Sequence, residues 1–196
     1  MIRSVETIVS LLKTFPGIGE KSARRMAYFL LKQDNEQRCR FADAFEGLST
    51  IHPCPKCGRF TDADICDVCS SPSRDHKKLC IVEDFYDAEA IESTAIFNGL
   101  YHVLGGRISP SEGIFAKDLS IHTLLTRVDE GGIEEIIIAT NPTLEGEATA
   151  HYLSEQLRSK HIHVSRLAIG LPIGGELGIV NPMTIKNSFQ NRHTLS

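Results

Sequence analysis

The 196-residue sequence contains no apolar run approaching the length of a transmembrane helix, and no internal repeat or low-complexity segment. The first absence predicts a protein that does not span a membrane. The N-terminal residues include Arg3 and Glu6 and offer no cleavage-like site, so we expect no signal peptide. A chain without a signal peptide stays in the reducing cytoplasm, where structural disulfides are rare. We therefore expect a cytoplasmic protein whose cysteines are not paired in disulfides.

A strong excess of charge of one sign is also lacking, because 21 Lys and Arg stand against 25 Asp and Glu. The distribution is nevertheless uneven. Residues 1–52 carry eight basic and six acidic residues, whereas residues 79–196 carry eight basic and fifteen acidic residues. A polyanion would therefore meet the N-terminal part first. A solvated helical face would give the same pattern, so charge alone does not establish nucleic-acid binding.

Four of the six cysteines form two Cys-x-x-Cys pairs, Cys54/Cys57 and Cys66/Cys69, with eight residues between the pairs. Four thiolates at this spacing can converge on one tetrahedral zinc ion. Because cysteine fills every ligand position, no position remains for a catalytic water, and we expect one structural Zn²⁺ per chain. Two disulfides or redox-active pairs are the alternatives. The reducing compartment disfavours disulfides, and no strand is predicted to lead into either pair, as redox motifs usually require.

Before the cysteines, the apolar spacing predicts three helices. The first ends at Phe15-Pro16-Gly17-Ile18-Gly19, where proline and glycine force a tight turn. The second runs from Glu20 to Leu31 and the third from Asn35 to Ile51. The third helix is expected to carry Cys39, Ala42, Phe45 and Leu48 on one face.

The turn between the first two predicted helices has the properties of a phosphate-binding site. Gly17 and Gly19 lack a Cβ atom, so a phosphate can approach their backbone N–H groups, and the following helix N-terminus adds partial positive charge. Lys21 and Arg25 lie one helical turn apart beside this site, and Arg24 adds further basic charge. Such a site binds DNA phosphates and reads no base. An ordinary helical turn is the alternative, but Pro-Gly-Ile-Gly followed by Lys-Ser-Ala-Arg-Arg resembles a helix-hairpin-helix motif.

After the cysteines, short apolar runs alternate with helical patterns. The alternation predicts a mainly parallel sheet covered on both faces, with Cys80 in the core. The predicted strands are residues 78–82, 100–104, 135–139 and 164–167, and the predicted helices are residues 87–94, 119–128, 143–159 and 181–191.

Acidic residues follow two of these strands, where functional groups of a parallel sheet gather. Glu83 and Asp84 end the first strand, and Asn141, Glu145 and Glu147 follow the strand at 135–139. Exposed loop carboxylates without a function are the alternative interpretation.

This arrangement resembles the Toprim domain of topoisomerases, bacterial primases and certain nucleases. That domain carries a glutamate after its first strand and an Asp-x-Asp-x-Glu-Gly cluster after a later one, and its acids bind Mg²⁺ for phosphoryl transfer. Here Asn141 and Thr143 stand at the two aspartate positions. The resemblance therefore implies a Toprim fold that has lost most of its metal site, and it leaves Mg²⁺ binding by the residual acids open.

The order of these parts resembles the RecR family of bacterial recombination mediators over essentially the full chain. The resemblance implies a multidomain α+β protein with four regions. These are a helix-hairpin-helix DNA-binding region at 1–52, a four-cysteine zinc finger at 53–76, a Toprim domain at 77–175, and a C-terminal segment at 176–196 that packs on the Toprim domain or on a neighbouring subunit. The segments that carry the resemblance are Phe15–Ala27, Cys54–Cys69, Tyr101–Gly106, Thr140–Ala150 and Gly170–Leu177.

The resemblance also implies a non-enzymatic role. Proteins of this family form dimers and ring-like tetramers that encircle DNA, act with a RecO-like and in many bacteria a RecF-like partner, and help to load RecA on single strands coated by single-strand-binding protein. By this likeness Lys21 and Arg25 face DNA, and the Toprim acids bear on partner binding. A Mg²⁺-dependent topoisomerase or nuclease of the Toprim type is the competing class, and the missing aspartate pair speaks against it. A protein-interaction module organised by zinc, with no DNA role, is a third class, and the helix-hairpin-helix motif speaks against it.

Overall fold

The computed structural model describes residues 2–192 and residue 194, and it divides the chain into two compact units, one up to Ile51 and one from His52 onward. In the described part, no helix is both long and apolar enough to traverse a bilayer. The predicted fold class is confirmed: a helical N-terminal region precedes a four-cysteine cluster and a parallel α/β sheet.

The first unit consists of three helices, α1 (Arg3–Leu12), α2 (Glu20–Lys32) and α3 (Asn35–Gly47), followed by one 3₁₀ turn at Leu48–Thr50. Its small core contains Val5 and Val9 of α1 and Ala23 and Ala27 of α2. Small alanines on α2 allow α1 to pack closely against it.

The third helix differs from its prediction. It ends at Gly47 instead of Ile51, and none of its residues is buried. Its predicted face remains exposed, and Ala42 and Phe45 of that face, with Phe41 and apolar residues of α1 and α2, line a groove of about 520 Å³. Sequence periodicity identifies an apolar face but not the chain that covers it.

The second unit begins with a short hairpin of β1 (His52–Pro53) and β2 (Phe60–Thr61), followed by α4 (Asp67–Ser70). The expectation that no strand leads into the cysteines is therefore wrong, because β1 ends directly before Cys54. Each strand of this hairpin is only two residues long, which is too short to give a period-2 signal in the sequence.

A four-stranded parallel sheet forms the rest of the second unit, in the order β4-β3-β5-β6. Leu79 to Val82 of β3 are all buried. Because successive residues of a strand point to opposite faces, continuous burial means that both faces of the sheet are covered. Cys80 is in this core, as predicted. The strands and helices of the sheet region are β3 (Asp75–Val82), α5 (Phe85–Glu92), β4 (Gly99–Val103), α6 (Ile121–Asp129), β5 (Glu135–Ala139), α7 (Leu144–Leu157), β6 (His163–Arg166) and α8 (Pro182–Gln190).

The register of the sheet positions the acidic residues. Val82 of β3 pairs with Ala139 of β5, so the segments after both strands leave the sheet at the same edge. Glu83 and Asn141 are thereby brought side by side.

Candidate functional site

The turn before α2 leaves backbone N–H groups open at the start of that helix. Gly17 has φ of +77°, a conformation that favours glycine, and a Cβ atom there would meet nothing within 4 Å. Gly19 is the N-cap residue of α2 in an ordinary extended conformation. Because glycine has no side chain, no side-chain cap covers the first-turn N–H groups of α2. This helix end can therefore receive an anion.

The basic residues beside this turn fall into two groups. Lys21 and Arg25 are exposed, and neither side chain forms a hydrogen bond or ion pair with the described residues. Arg24 instead contacts two carboxylates, with Nε 2.8 Å from Glu20 and Nη1 3.4 Å from Glu6. Arg24 was predicted to add basic charge at the DNA-binding turn without a specific role of its own, and in the structure it joins α2 to Glu6 of α1.

Glu20 opens α2 and would oppose a phosphate at this site, but its charge is balanced. Its carboxylate lies 2.6 Å from the Lys13 ammonium. The hydrogen bond from Lys13, together with the nearby Arg24, lowers the pKa of Glu20. With Glu20 paired locally, Lys21 and Arg25 determine the field that an approaching anion meets.

The structure brings the four paired cysteines together in a buried cluster. Their sulfur atoms all lie within 4.8 Å of one another, and the Sγ atoms of Cys57 and Cys66 are 3.5 Å apart. Zn–S bonds of about 2.3 Å in a tetrahedron place the sulfurs about 3.8 Å apart. The donor set and its spacing therefore fit a tetrahedral metal ion.

The environment of the sulfurs indicates that thiolates here need a cation. Burial raises the pKa of Cys66 to about 11, and a hydrogen bond with Cys69 together with burial raises the pKa of Cys57 beyond its ordinary range. Burial also acts to raise the pKa of Cys54, but backbone N–H donors, led by that of Cys66, outweigh it and lower the pKa to about 7. A divalent metal ion would hold all four sulfurs as thiolates and displace their protons.

Direct contacts join the cysteine cluster to the sheet. The Val103 N–H of β4 donates to the Cys57 carbonyl over 2.7 Å. Gly58 has φ of +77°, a conformation that favours glycine, and a Cβ atom there would lie 3.1 Å from the Val103 carbonyl oxygen. Arg127 of α6 donates to the carbonyls of Lys56 and Tyr101, over 3.3 and 2.8 Å. The cluster is therefore a fixed part of the second unit.

Arg59 makes a further link that sequence reasoning missed. Its guanidinium contacts Asp67 of α4, over 3.3 Å, and Glu89 of α5. It also lies over the rings of Phe85 and Tyr101, 5.9 and 5.7 Å from their centroids. An arginine between Gly58 and an aromatic residue gave no sequence signal for these contacts, since its partners lie far along the chain.

At the carboxyl edge of the sheet, Asn141 satisfies a buried carboxylate. Only 3% of Glu83 is exposed. The Asn141 backbone N–H donates to Glu83 Oε1 over 2.8 Å, and the Asn141 Nδ2 donates to Oε2 over 2.9 Å. Both carboxylate oxygens thus have amide donors, which stabilises a charge that would otherwise be costly to bury.

The loop between β5 and α7 allows this close approach. A Cβ atom on Gly146 would lie 2.0 Å from the Asn141 carbonyl oxygen and 2.8 Å from Glu83 Oε1, so only glycine fits there. Thr143 caps α7 by accepting a hydrogen bond from the Gly146 N–H over 3.1 Å. The two positions that hold aspartates in the Toprim cluster therefore hold a hydrogen-bond donor and a helix cap.

The other acids predicted for this site do not converge on one point. Asp84 is the N-cap of α5 and forms a capping box with Asp87, whose pKa partial burial raises. Glu147 forms an ion pair with Arg166 of β6. Glu145 is half-buried, and its carboxylate has no hydrogen bond or ion pair among the described residues. Within residues 2–192, only the cysteine cluster brings three or more metal-ligating side chains together.

Asp87 and Arg166 are members of this edge that sequence reasoning missed. The Asp87 Oδ2 lies 3.5 Å from the Asn141 Nδ2. The spacing Asp84-x-x-Asp87 is a capping-box signature and would have placed Asp87 in the first turn of a helix beginning after Asp84. Arg166 had no comparable signal, because its pairing with Glu147 depends on the neighbouring positions of β6 and α7.

This combination defines a class of protein, a helix-hairpin-helix protein with a four-cysteine cluster able to bind a metal ion and a Toprim domain whose strand-end cluster is uncharged at two positions. Comparison with known proteins agrees. The family model for the Toprim domain matches residues 77–168, that for the RecR helix-hairpin-helix matches residues 5–48, and that for the RecR C-terminal region matches residues 170–193.

Relatives that match nearly the whole chain identify its family. It is 44% identical over 192 residues to the recombination protein RecR of Saccharophagus degradans, covering 97% of this chain and 98% of that protein. It is 42% identical over 192 residues, with the same coverage, to the recombination protein RecR of Treponema denticola. The chain belongs to the RecR family.

Proposed function

We propose that this protein is a DNA-binding recombination mediator that acts in DNA repair. Membership of the RecR family supports a role in recombination. The finer role follows the family likeness: the protein acts with a RecO-like partner, and in some settings a RecF-like one, to help load RecA on single-stranded DNA coated by single-strand-binding protein.

The open helix end before α2 is the observation that carries DNA binding. Its first-turn N–H groups have no side-chain cap, and Lys21 and Arg25 project beside them without internal partners. Backbone N–H groups and two flexible cations suit successive phosphates and make no base contact, so we infer sequence-independent binding. Arg24 contributes by fixing α2 on α1 through Glu6.

We infer that the metal is a structural Zn²⁺. Four cysteines at tetrahedral spacing form a closed donor set, typical of structural zinc sites. The ion would hold the short hairpin and α4 against the sheet, because this segment has few apolar side chains of its own.

We infer that the protein is a homodimer or homotetramer that forms a ring on DNA, and that the acidic edge of the sheet contacts a protein partner. The uncovered apolar groove of the first unit supports self-association. Glu145, exposed in part and without an internal cation, supports contact with a basic partner surface.

We infer no DNA cleavage or rejoining. Asn141 donates hydrogen bonds to Glu83 where a Toprim enzyme would have a metal-binding aspartate. A Mg²⁺-dependent topoisomerase or nuclease, the competing function, needs carboxylates clustered on one ion, and among the described residues no three carboxylates form such a cluster.

The test is a DNA-binding measurement on the Lys21→Ala/Arg25→Ala protein at several salt concentrations. Losing two phosphate contacts should weaken binding to all sequences alike and reduce the slope of log K against log salt by about 2. Arg3→Ala/Lys32→Ala removes the same charge from the same unit, away from the start of α2, and should have a much smaller effect. Unchanged affinity and slope in the first variant would show that the site is misassigned.

A further inference from the structure

Three aromatic side chains form a continuous surface where the β1/β2 hairpin meets α5. Phe60 of β2 packs edge-to-face on Phe85, with centroids 5.3 Å apart, and Phe85 in turn contacts Tyr86, 6.1 Å away. The outer two rings are strongly exposed, 53% for Phe60 and 80% for Tyr86. We call Phe60, Phe85 and Tyr86 the aromatic patch. None of the three rings has a role in the core, in the cysteine cluster or at the hairpin of the first unit.

The aromatic patch rests on a rigid base. Arg59 lies beneath the Phe85 ring, and its guanidinium is held by Asp67 and Glu89. The residue itself is only 6% exposed. Exposed rings on a fixed support lose little conformational entropy on binding, which is the property of interface hot spots.

The charge around the aromatic patch is strongly negative. Residues 59–69 and 83–89 contain seven acidic residues and one basic residue, Arg59, whose charge is already paired. Asp62 and Asp64 follow Phe60 and are exposed, and Asp84 precedes the two rings of α5 and is also exposed. A cation over an aromatic face, with carboxylates nearby, is stabilised twice.

We propose that the aromatic patch docks an arginine- or lysine-rich segment of a partner protein. This proposal specifies the partner binding proposed above, and it rests on that proposed function only in assuming that a protein partner exists. Basic side chains stack over Tyr86 and Phe60 while their charges face Asp62, Asp64 and Asp84. Single-stranded nucleic acid also stacks on exposed rings, but its phosphates would meet the same carboxylates and be repelled.

The experiment uses the absence of tryptophan from the sequence. In the full chain, Tyr86→Trp places one fluorescent indole in the aromatic patch and keeps the ring. Tyr152→Trp places one on α7 as the matched control reporter, since Tyr152 is also exposed, at 37%. Each protein is titrated with a short synthetic peptide of alternating arginine and serine, with the same peptide carrying citrulline for arginine, and with oligothymidine.

We expect a saturable change in emission of the Tyr86→Trp protein with the arginine peptide. The citrulline peptide and oligothymidine should leave that emission unchanged, and the Tyr152→Trp protein should not respond. Phe60→Ala in the Tyr86→Trp background should weaken binding of the arginine peptide about fivefold, because one cation–π contact is lost. Phe115 is a matched exposed phenylalanine, and Phe115→Ala in the same background should leave the affinity for the arginine peptide unaltered.

Three results would overturn the proposal: no response at residue 86, an equal response at residue 152, or a stronger response at residue 86 to oligothymidine than to the arginine peptide. The last would assign the aromatic patch to nucleic acid. Peptide binding does not depend on the turn before α2. A Lys21→Ala/Arg25→Ala protein that has lost DNA binding should therefore still bind the peptide. Failure of the DNA proposal and failure of this one are therefore distinguishable.

Discussion

Replacing Asn141 with aspartate tests the central feature of the sheet edge. In the wild-type protein the Asn141 Nδ2 donates to the buried Glu83 carboxylate over 2.9 Å. Asn141→Asp has nearly the same shape but puts a second carboxylate at this distance. Two unit charges 2.9 Å apart repel by about 6 kcal/mol at an effective dielectric constant of about 20.

Proton uptake limits this cost. Protonating a carboxyl group with an ordinary pKa of about 4 costs about 4 kcal/mol at pH 7, less than the repulsion, so the folded variant should bind one proton between the two groups. We therefore expect Asn141→Asp to lose about 4 kcal/mol of unfolding free energy at pH 7. Because the folded variant then holds more protons than its unfolded state, the loss should shrink as the pH falls, by about 1.4 kcal/mol per pH unit.

Urea unfolding followed by circular dichroism at pH 7 and pH 5 measures both effects. Asn141→Ala, which removes the side-chain donor without adding charge, should show a smaller loss that does not depend on pH in this range. The double variant Glu83→Gln/Asn141→Asp exchanges the amide and the carboxylate and should recover most of the stability. An Asn141→Asp protein as stable as the wild type at pH 7 would refute the view that Asn141 stabilises a buried charge.

Three further predictions concern the metal, the pH dependence and the chemistry. Purified protein should contain one zinc ion per chain by elemental analysis, and Cys54→Ser should misfold; a content far below one would contradict the metal assignment. Burial lowers the pKa of His102 from 6.5 to about 4, so the unfolded state binds the extra proton and stability should fall by about 3 kcal/mol as the pH drops through this window. His102→Gln should lack this decline in urea titrations, and an identical decline would exclude His102 as its source. Supercoiled and linear DNA should stay intact with the protein in Mg²⁺ or Mn²⁺; metal-dependent nicking abolished by Glu83→Gln would establish the enzymatic alternative.

The strands of the four-stranded sheet and the cysteine cluster could be predicted because their signals are local. β5 coincides with the apolar run Glu135–Ala139, since a strand buried on both faces leaves a continuous apolar segment. The spacing of the Cys-x-x-Cys pairs needs only two short turns to bring the sulfurs together. Gly58, which follows Cys57, adopts the positive φ that such a tight turn favours.

The rest depended on contacts between distant segments. Of the face predicted for α3, Ala42 and Phe45 line the exposed groove, and a single sequence does not tell whether the same chain or a neighbour covers such a groove. The ion pairs of Arg59 with Glu89 and of Arg166 with Glu147 require the tertiary arrangement. Phe60, Phe85 and Tyr86 are ordinary aromatic residues in the sequence, and only the fold brings them into one surface.

Asn141 shows why a missing residue can be misinterpreted as a simple loss. From the sequence, an amide in place of an aspartate indicates a weakened Mg²⁺ site. In the structure the Asn141 side-chain amide donates to one oxygen of Glu83 and the Asn141 backbone N–H donates to the other, so hydrogen bonds hold this edge of the sheet. The polar atoms of Glu83 are thus satisfied by the chain's own donors. A glutamate held in place in this way is compatible with the partner-binding surface proposed above.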